Sequence, residues 1–137
     1  MLRRASAILL LLVCACYTMA VRKTALDHVN PAMRTQVWSQ AIGVLSSQGY
    51  VPSEMNESAG FIKTEHAGSA ATCGILTCTA TDRVVVLVMP DGTVRLDLLR
   101  EVHRGRDVTA PYTDTEVAEV EREQERLLTL ITQGYRQ

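Results

Sequence analysis

The stretch Arg83-Val84-Val85-Val86-Leu87-Val88-Met89, followed by Pro90-Asp91-Gly92 and then Thr93-Val94-Arg95-Leu96-Asp97-Leu98-Leu99-Arg100-Glu101-Val102, decides the fold. Its first half is dense in β-branched residues, which suit a pleated, half-buried surface. Asp-Gly is a favoured two-residue hairpin turn. With Asp91 and Gly92 as the loop, Met89 pairs with Val94, Leu87 with Leu96 and Val85 with Leu98. Directly paired residues point to the same side, so these six form one apolar face, the expected core. The opposite face then carries Val84, Val86 and Val88. Three valines in a row are unusual on the wet side of an antiparallel sheet. Either the loop around Gly68 to Thr79 covers them or they offer a surface to a partner.

Two further strands are expected upstream, near Tyr50 to Met55 and over Gly60 to Glu65, joined by a turn at Asn56 to Gly60. Pro52 has no N–H to give to a ladder, which makes the first an edge strand. Helices flank the strands. Asn30-Pro31 is an N-cap followed by proline at the first helical position. Met33, Val37, Trp38, Ala41, Ile42 and Leu45 then recur at helical spacing, and Gly49 closes the helix. Thr113 and Glu116 form a capping box for a last helix whose apolar side is Val117, Val120, Leu127, Leu128, Ile131 and Tyr135, interrupted by Gln124. The pattern predicts a two-layer α+β domain, a four-stranded antiparallel sheet flanked by an N-terminal and a C-terminal helix in the order α-β-β-β-β-α.

The 137 residues do not all belong to that domain. Arg3 and Arg4 precede the apolar run Ala7 to Val13, which is short of the about 20 residues a membrane-spanning helix needs and fits a secretory signal peptide. Val13-Cys14-Ala15-Cys16 resembles the lipobox of bacterial lipoproteins: Val13, Ala15 and Cys16 match, while Cys14 stands where a small residue is usual. The resemblance implies cleavage before Cys16 and a diacylglycerol thioether on it, anchoring the chain by about 0.8 kcal/mol per buried methylene. Tyr17 is not the aspartate associated with inner-membrane retention, which implies the outer membrane, facing the periplasm. The alternative is cleavage after Ala20 and a soluble periplasmic or secreted protein. The expected organisation is a leader over 1–15, a lipidated N-terminus and tether over 16–29, and a single domain over 30–137.

The whole chain has 14 basic and 15 acidic residues. Losing Arg3 and Arg4 leaves 12 basic residues and a mature charge of −3, which gives no reason to expect nucleic acid as a partner. Cys73 and Cys78 are the cysteines left after Cys14 is discarded and Cys16 acylated. A disulfide is their expected state in an oxidising compartment; free thiols are one alternative. A metal site would need His28, His66 or His103 as well, at a spacing that matches no zinc pattern. Arg100, His103, Arg104 and Arg106 follow the fourth strand with Glu101 and Asp107 among them, as in a solvated loop. No nucleophile elbow, phosphate-binding glycine loop or zinc-protease helix is present, and no cofactor or catalytic residue is assigned.

In element order, Trp38, Leu45, Gly49-Tyr50, Gly60-Phe61-Ile62-Lys63-Thr64, the hairpin and the final helix resemble the small α+β domains of the lipoprotein component C of the outer-membrane β-barrel assembly machinery. The segment Cys73 to Cys78 departs from that pattern. The resemblance implies an accessory or scaffolding role with an envelope protein partner and transfers no binding residue. The expected function is a non-enzymatic, membrane-anchored interaction module; the alternative is a periplasmic small-ligand or lipid-binding domain with a cleft beside the last helix, where Gln124 would stand.

Overall fold

A computed structural model describes residues 19–65, 67–73, 76–104 and 114–137, with only the backbone described at 19–20, 68–73, 76–79 and 103–104. The elements run β1 (Met19–His28), a 3-10 turn (Pro31–Met33), α1 (Arg34–Ser47), β2 (Pro52–Asn56), β3 (Phe61–Thr64), β4 (Ala67–Cys73), β5 (Leu76–Val88), β6 (Thr93–Arg104) and α2 (Asp114–Thr132). The α+β class holds. The sheet has six strands instead of the expected four, in the order β1-β6-β5-β3-β2, with β4 also paired to β5. All the pairings are antiparallel.

β3 and β4 follow one another along the same side of β5, so the sheet is five strands wide. Four residues separate Lys63 from Ala67, where three separate their partners Val85 and Asp82. The extra residue interrupts the ladder as a bulge does. Here the buried Thr64 hydroxyl accepts the Val84 N–H at 3.0 Å, in place of a main-chain carbonyl.

β1 corrects the expected tether. Within the 16–29 segment, Met19 to His28 pairs residue by residue with Val102 to Thr93 of β6. Val21 and Val29 are buried, and Asp27 accepts from the Thr132 hydroxyl at 2.7 Å and from Arg136 at 2.8 Å. Edge strand and last helix are thereby fastened together.

The hairpin also differs from the expected register. Val88 pairs with Val94, Val86 with Leu96 and Val84 with Leu98. The loop has three residues, not two. Gly92 N–H donates to the Met89 carbonyl at 3.1 Å and Met89 N–H to the Thr93 carbonyl at 2.8 Å. Pro90 sits at the first central position with its φ held near −65°, which fits a type I turn and not the type I′ turn of an Asp-Gly loop. Gly92, with φ +88°, then supplies the left-handed residue. One added loop residue turns every side chain of one strand over relative to the other.

Both helices bury their stripes against the same face of the sheet. Val37, Ala41 and Leu45 of α1 and Val120, Leu127, Leu128 and Ile131 of α2 form one core with Val84, Val86, Val88, Val94, Leu96 and Leu98. Trp38 packs at its margin, as a core residue should. The Gln40 carboxamide donates to the Leu130 and Ile131 carbonyls at 2.7 and 3.1 Å, capping the last turn of α2. Arg34 reaches the Val88 and Ser58 carbonyls at 2.9 and 3.0 Å, tying α1 to the hairpin and to the β2–β3 turn.

Candidate functional site

The face of the sheet turned away from the helices carries the alternate residues of each strand. β1 contributes Arg22, Thr24 and Leu26; β6 contributes Arg95, Asp97 and Leu99; β5 contributes Val85 and Leu87; β3 contributes Phe61. A shallow depression of about 250 Å³ is lined by Arg22, Phe61, Val85, Leu87, Arg95 and Asp97. Its floor is apolar and its margin cationic. Leu26, beside it on the edge strand, is 61% exposed.

Asp97 is the polar centre of this face. Thr24 Oγ1 donates to its carboxylate at 2.6 Å, Arg95 Nε at 3.1 Å and Arg22 at 3.4 Å. Burial pushes the Asp97 carboxyl up, but the Thr24 hydroxyl and the Arg95 and Arg22 guanidiniums outweigh it and hold the carboxyl below the ordinary range. Two arginines against one carboxylate leave an excess positive charge beside the apolar floor.

A second polar group lies on the inner face. Asp82 and Arg100 are directly opposed on β5 and β6 and form a bidentate pair, with both contacts at 2.8 Å. Glu119 of α2 stands 3.8 Å from the same guanidinium. Tyr50 donates its hydroxyl to Glu123 at 3.3 Å. Burial and the Asp82 and Glu123 charges push the Tyr50 hydroxyl well above its ordinary value, so it stays protonated as a donor. The bidentate geometry holds Arg100 inward and commits Asp82 to it. Arg100 therefore does not belong to a solvated basic loop.

The structure relocates several expected site residues. Val84, Val86 and Val88, expected as a possible partner surface, are all fully buried under the helices. The physical reason is the three-residue loop, which sends the 84-86-88 row inward and the 85-87 row outward. Gln124 is buried too, and its carboxamide donates to the Leu96 carbonyl at 2.9 Å, between helix and sheet. Cys16 lies outside the described residues, as do Arg106 and His66. The register sets Cys73 opposite Leu76 and Cys78 opposite Ala71, while the side chains of both cysteines are outside the described set. Asp97 with its hydroxyl and two guanidiniums was missed by sequence reasoning, because β1 did not register as a strand. Among the described residues there is no group of three metal-ligating side chains, and no helix is long and apolar enough to cross a membrane.

No protein-family model matches the chain, and no curated protein matches it. Among solved structures, a TBP-like protein from Parabacteroides distasonis ATCC 8503 is similar with a TM-score of 0.56 at 6% identity, over 87% of this chain and 98% of that one. At that identity the likeness shows the fold alone. A DUF4468 family protein from Bacteroides ovatus ATCC 8483 gives a TM-score of 0.46 at 12% identity, over 86% of this chain and 85% of that one. Ara h 8.0201 gives 0.49 at 11% identity, over 84% and 95%.

Proposed function

We propose that this chain is a non-enzymatic envelope lipoprotein, anchored through acylated Cys16, that binds a protein partner through the open face of its sheet. The observation that carries this reading is the depression in which Phe61, Val85 and Leu87 lie beside Arg22 and Arg95. Apolar floor with polar margin is the anatomy of a protein-binding patch. The partner that fits offers an apolar side chain for the floor and carboxylates for the two arginines.

The test is site-specific photocrosslinking in the native envelope. A photoreactive residue replacing Leu87 should yield one dominant protein adduct, and Arg95→Glu should suppress it while leaving the circular dichroism spectrum unchanged. The same probe at Gln36, on the solvent side of α1, should yield none. Equal adducts from both positions, or an adduct indifferent to Arg95→Glu, would remove the open face from the reading. The anchor is tested separately: Cys16→Ala should release the chain from membranes. Apolar mass retained by the unlipidated chain in native mass spectrometry would instead favour the small-ligand alternative.

A further inference from the structure

The distance between the anchor and the sheet constrains how the domain can stand on a membrane. Only Tyr17 and Thr18 separate Cys16 from Met19, the first residue of β1. Three Cα steps reach at most about 11 Å. β1 is no slack leader that could be peeled away to lengthen this link. It is paired over its whole length with β6, and it buries Val21 and Val29. Lys23 meets Glu121 of α2 at 2.8 Å and Asp27 meets Arg136 at 2.8 Å.

The same end of the sheet carries the β4–β5 hairpin. Met19 and Ala80 both pair with Val102, so they lie in one row. β1 and β5 run in the same sense, and from Ala80 β5 reaches four residues further, to Leu76, beyond the Met19 row. At about 3.3 Å per residue that is roughly 13 Å, matching the reach of the link. The opposite end, with the Pro90–Gly92 loop, is nine residues of β6 away, or about 30 Å.

We infer that the domain stands end-on on the bilayer, with the Met19 row and the β4–β5 end of the sheet at the lipid headgroups and the Pro90–Gly92 loop pointing away. This rests on the lipoprotein reading of Cys16. Its occupant is the lipid surface itself, because a link of at most about 11 Å holds the Met19 row close to the attachment point and the β4–β5 end projects a similar distance beyond that row. The strands then run along the membrane normal, which leaves the open face free for a partner approaching from the side.

The test uses the mature lipidated chain in vesicles of phosphatidylethanolamine and phosphatidylglycerol containing a phospholipid with brominated acyl chains. In a Trp38→Phe background, Leu76→Trp should lose fluorescence to the brominated lipid, and Asp91→Trp should not. Amide exchange of the wild-type chain, which needs no substitution, should slow over 76–80 in vesicles relative to Cys16→Ala in solution and stay unchanged over 90–93. Quenching or slowed exchange at the 90–93 end, or at neither end, overturns the inference alone when the N-terminus carries acyl mass. An N-terminus without acyl mass overturns the lipoprotein reading, and the orientation with it.

Discussion

Replacing Val86 and Val85 in turn by alanine tests the hairpin register, on which the placement of both faces depends. Val86 is 0% exposed, within a row formed with Val84 and Val88. Val85, its neighbour in sequence, is half-buried on the outer face. Val86→Ala removes two buried carbons, about 1.6 kcal/mol at about 0.8 each. The helices above cannot close fully on the space, which adds about 1 kcal/mol. The sum is about 2.5 kcal/mol, or roughly 8–12 °C in melting temperature for a domain of this size. Val85→Ala should cost under about 1 kcal/mol, since its side chain still touches water in the folded state. Urea unfolding of the unlipidated chain, followed by circular dichroism, reads both as midpoint shifts at unchanged slope. A two-residue Asp91-Gly92 loop would reverse the order. If Val85→Ala proves the costlier of the two, the register, the buried valine row and the open face are all wrong together.

Other expectations follow from particular contacts. Asp82→Ala removes the carboxylate opposite Arg100 and should cost about 3–5 kcal/mol in urea unfolding, whereas Asp82→Leu combined with Arg100→Met should recover most of the loss. Asp27 and Asp97 are pushed up by burial but held below the ordinary carboxyl range by stronger opposing contacts, from Thr132, His28 and Arg136 in the first case and from Thr24, Arg95 and Arg22 in the second. The unfolded chain therefore binds these protons first as pH falls. The stabilisation is full above an unfolded value of about 3.9 and is lost as pH drops through the folded values. Urea midpoints should hold from neutral pH to about 5, decline below about 4, and decline less in Asp97→Asn. A Cβ on Gly60, where φ is +68°, would lie 2.1 Å from the Val88 carbonyl oxygen. Gly60→Ala should cost about 2–3 kcal/mol, visible as a lowered melting temperature.

What the chain disclosed of itself depended on whether each element's signal survived its neighbours. α1 and α2 were legible because their stripes face one uniform apolar surface and Gly49 and Gly134 stand where helix ends need them, while Asn30 caps the 3-10 turn that precedes α1. β1 was not. Its inward side alternates Val21, Lys23, Ala25, Asp27 and Val29, and its outward side carries Arg22, Thr24 and Leu26. An edge strand lying under the polar flank of a helix can use Lys23 to meet Glu121 and Asp27 to meet Thr132, which erases the apolar alternation by which strands are recognised. β4 runs Ala67-Gly68-Ser69-Ala70-Ala71-Thr72-Cys73, almost all small residues with weak strand preference, and is specified by the length of β5 opposite it. The hairpin register was legible in principle. In a two-residue Asp91-Gly92 loop Pro90 would close the ladder opposite Thr93 and would need an N–H that it lacks, whereas at the first central position of a type I turn no N–H is required and Met89 donates to Thr93 instead. A two-residue Asp91-Gly92 loop would turn the 84-86-88 row outward, whereas the three-residue loop buries it.

The corrected register and the proposed end-on orientation together restrict the proposed partner. Along the strands, Arg22 lies three residues from the Met19 row, Asp97 five and Arg95 seven. At about 3.3 Å per residue the depression therefore spans roughly 10–23 Å from that row, and the link to Cys16 adds up to about 11 Å more. A side chain entering between Phe61 and Leu87 would stand about 30 Å from the lipid attachment, beyond the headgroups. The partner that reaches it is then a domain projecting from the membrane or free in the aqueous compartment, and not the lipid-facing wall of a membrane protein. Its approach is lateral, across an open face whose two arginines share one carboxylate. Raising the salt concentration should weaken the encounter, because Arg22 and Arg95 are exposed, while leaving the buried Asp82–Arg100 pair and the stability of the fold nearly untouched.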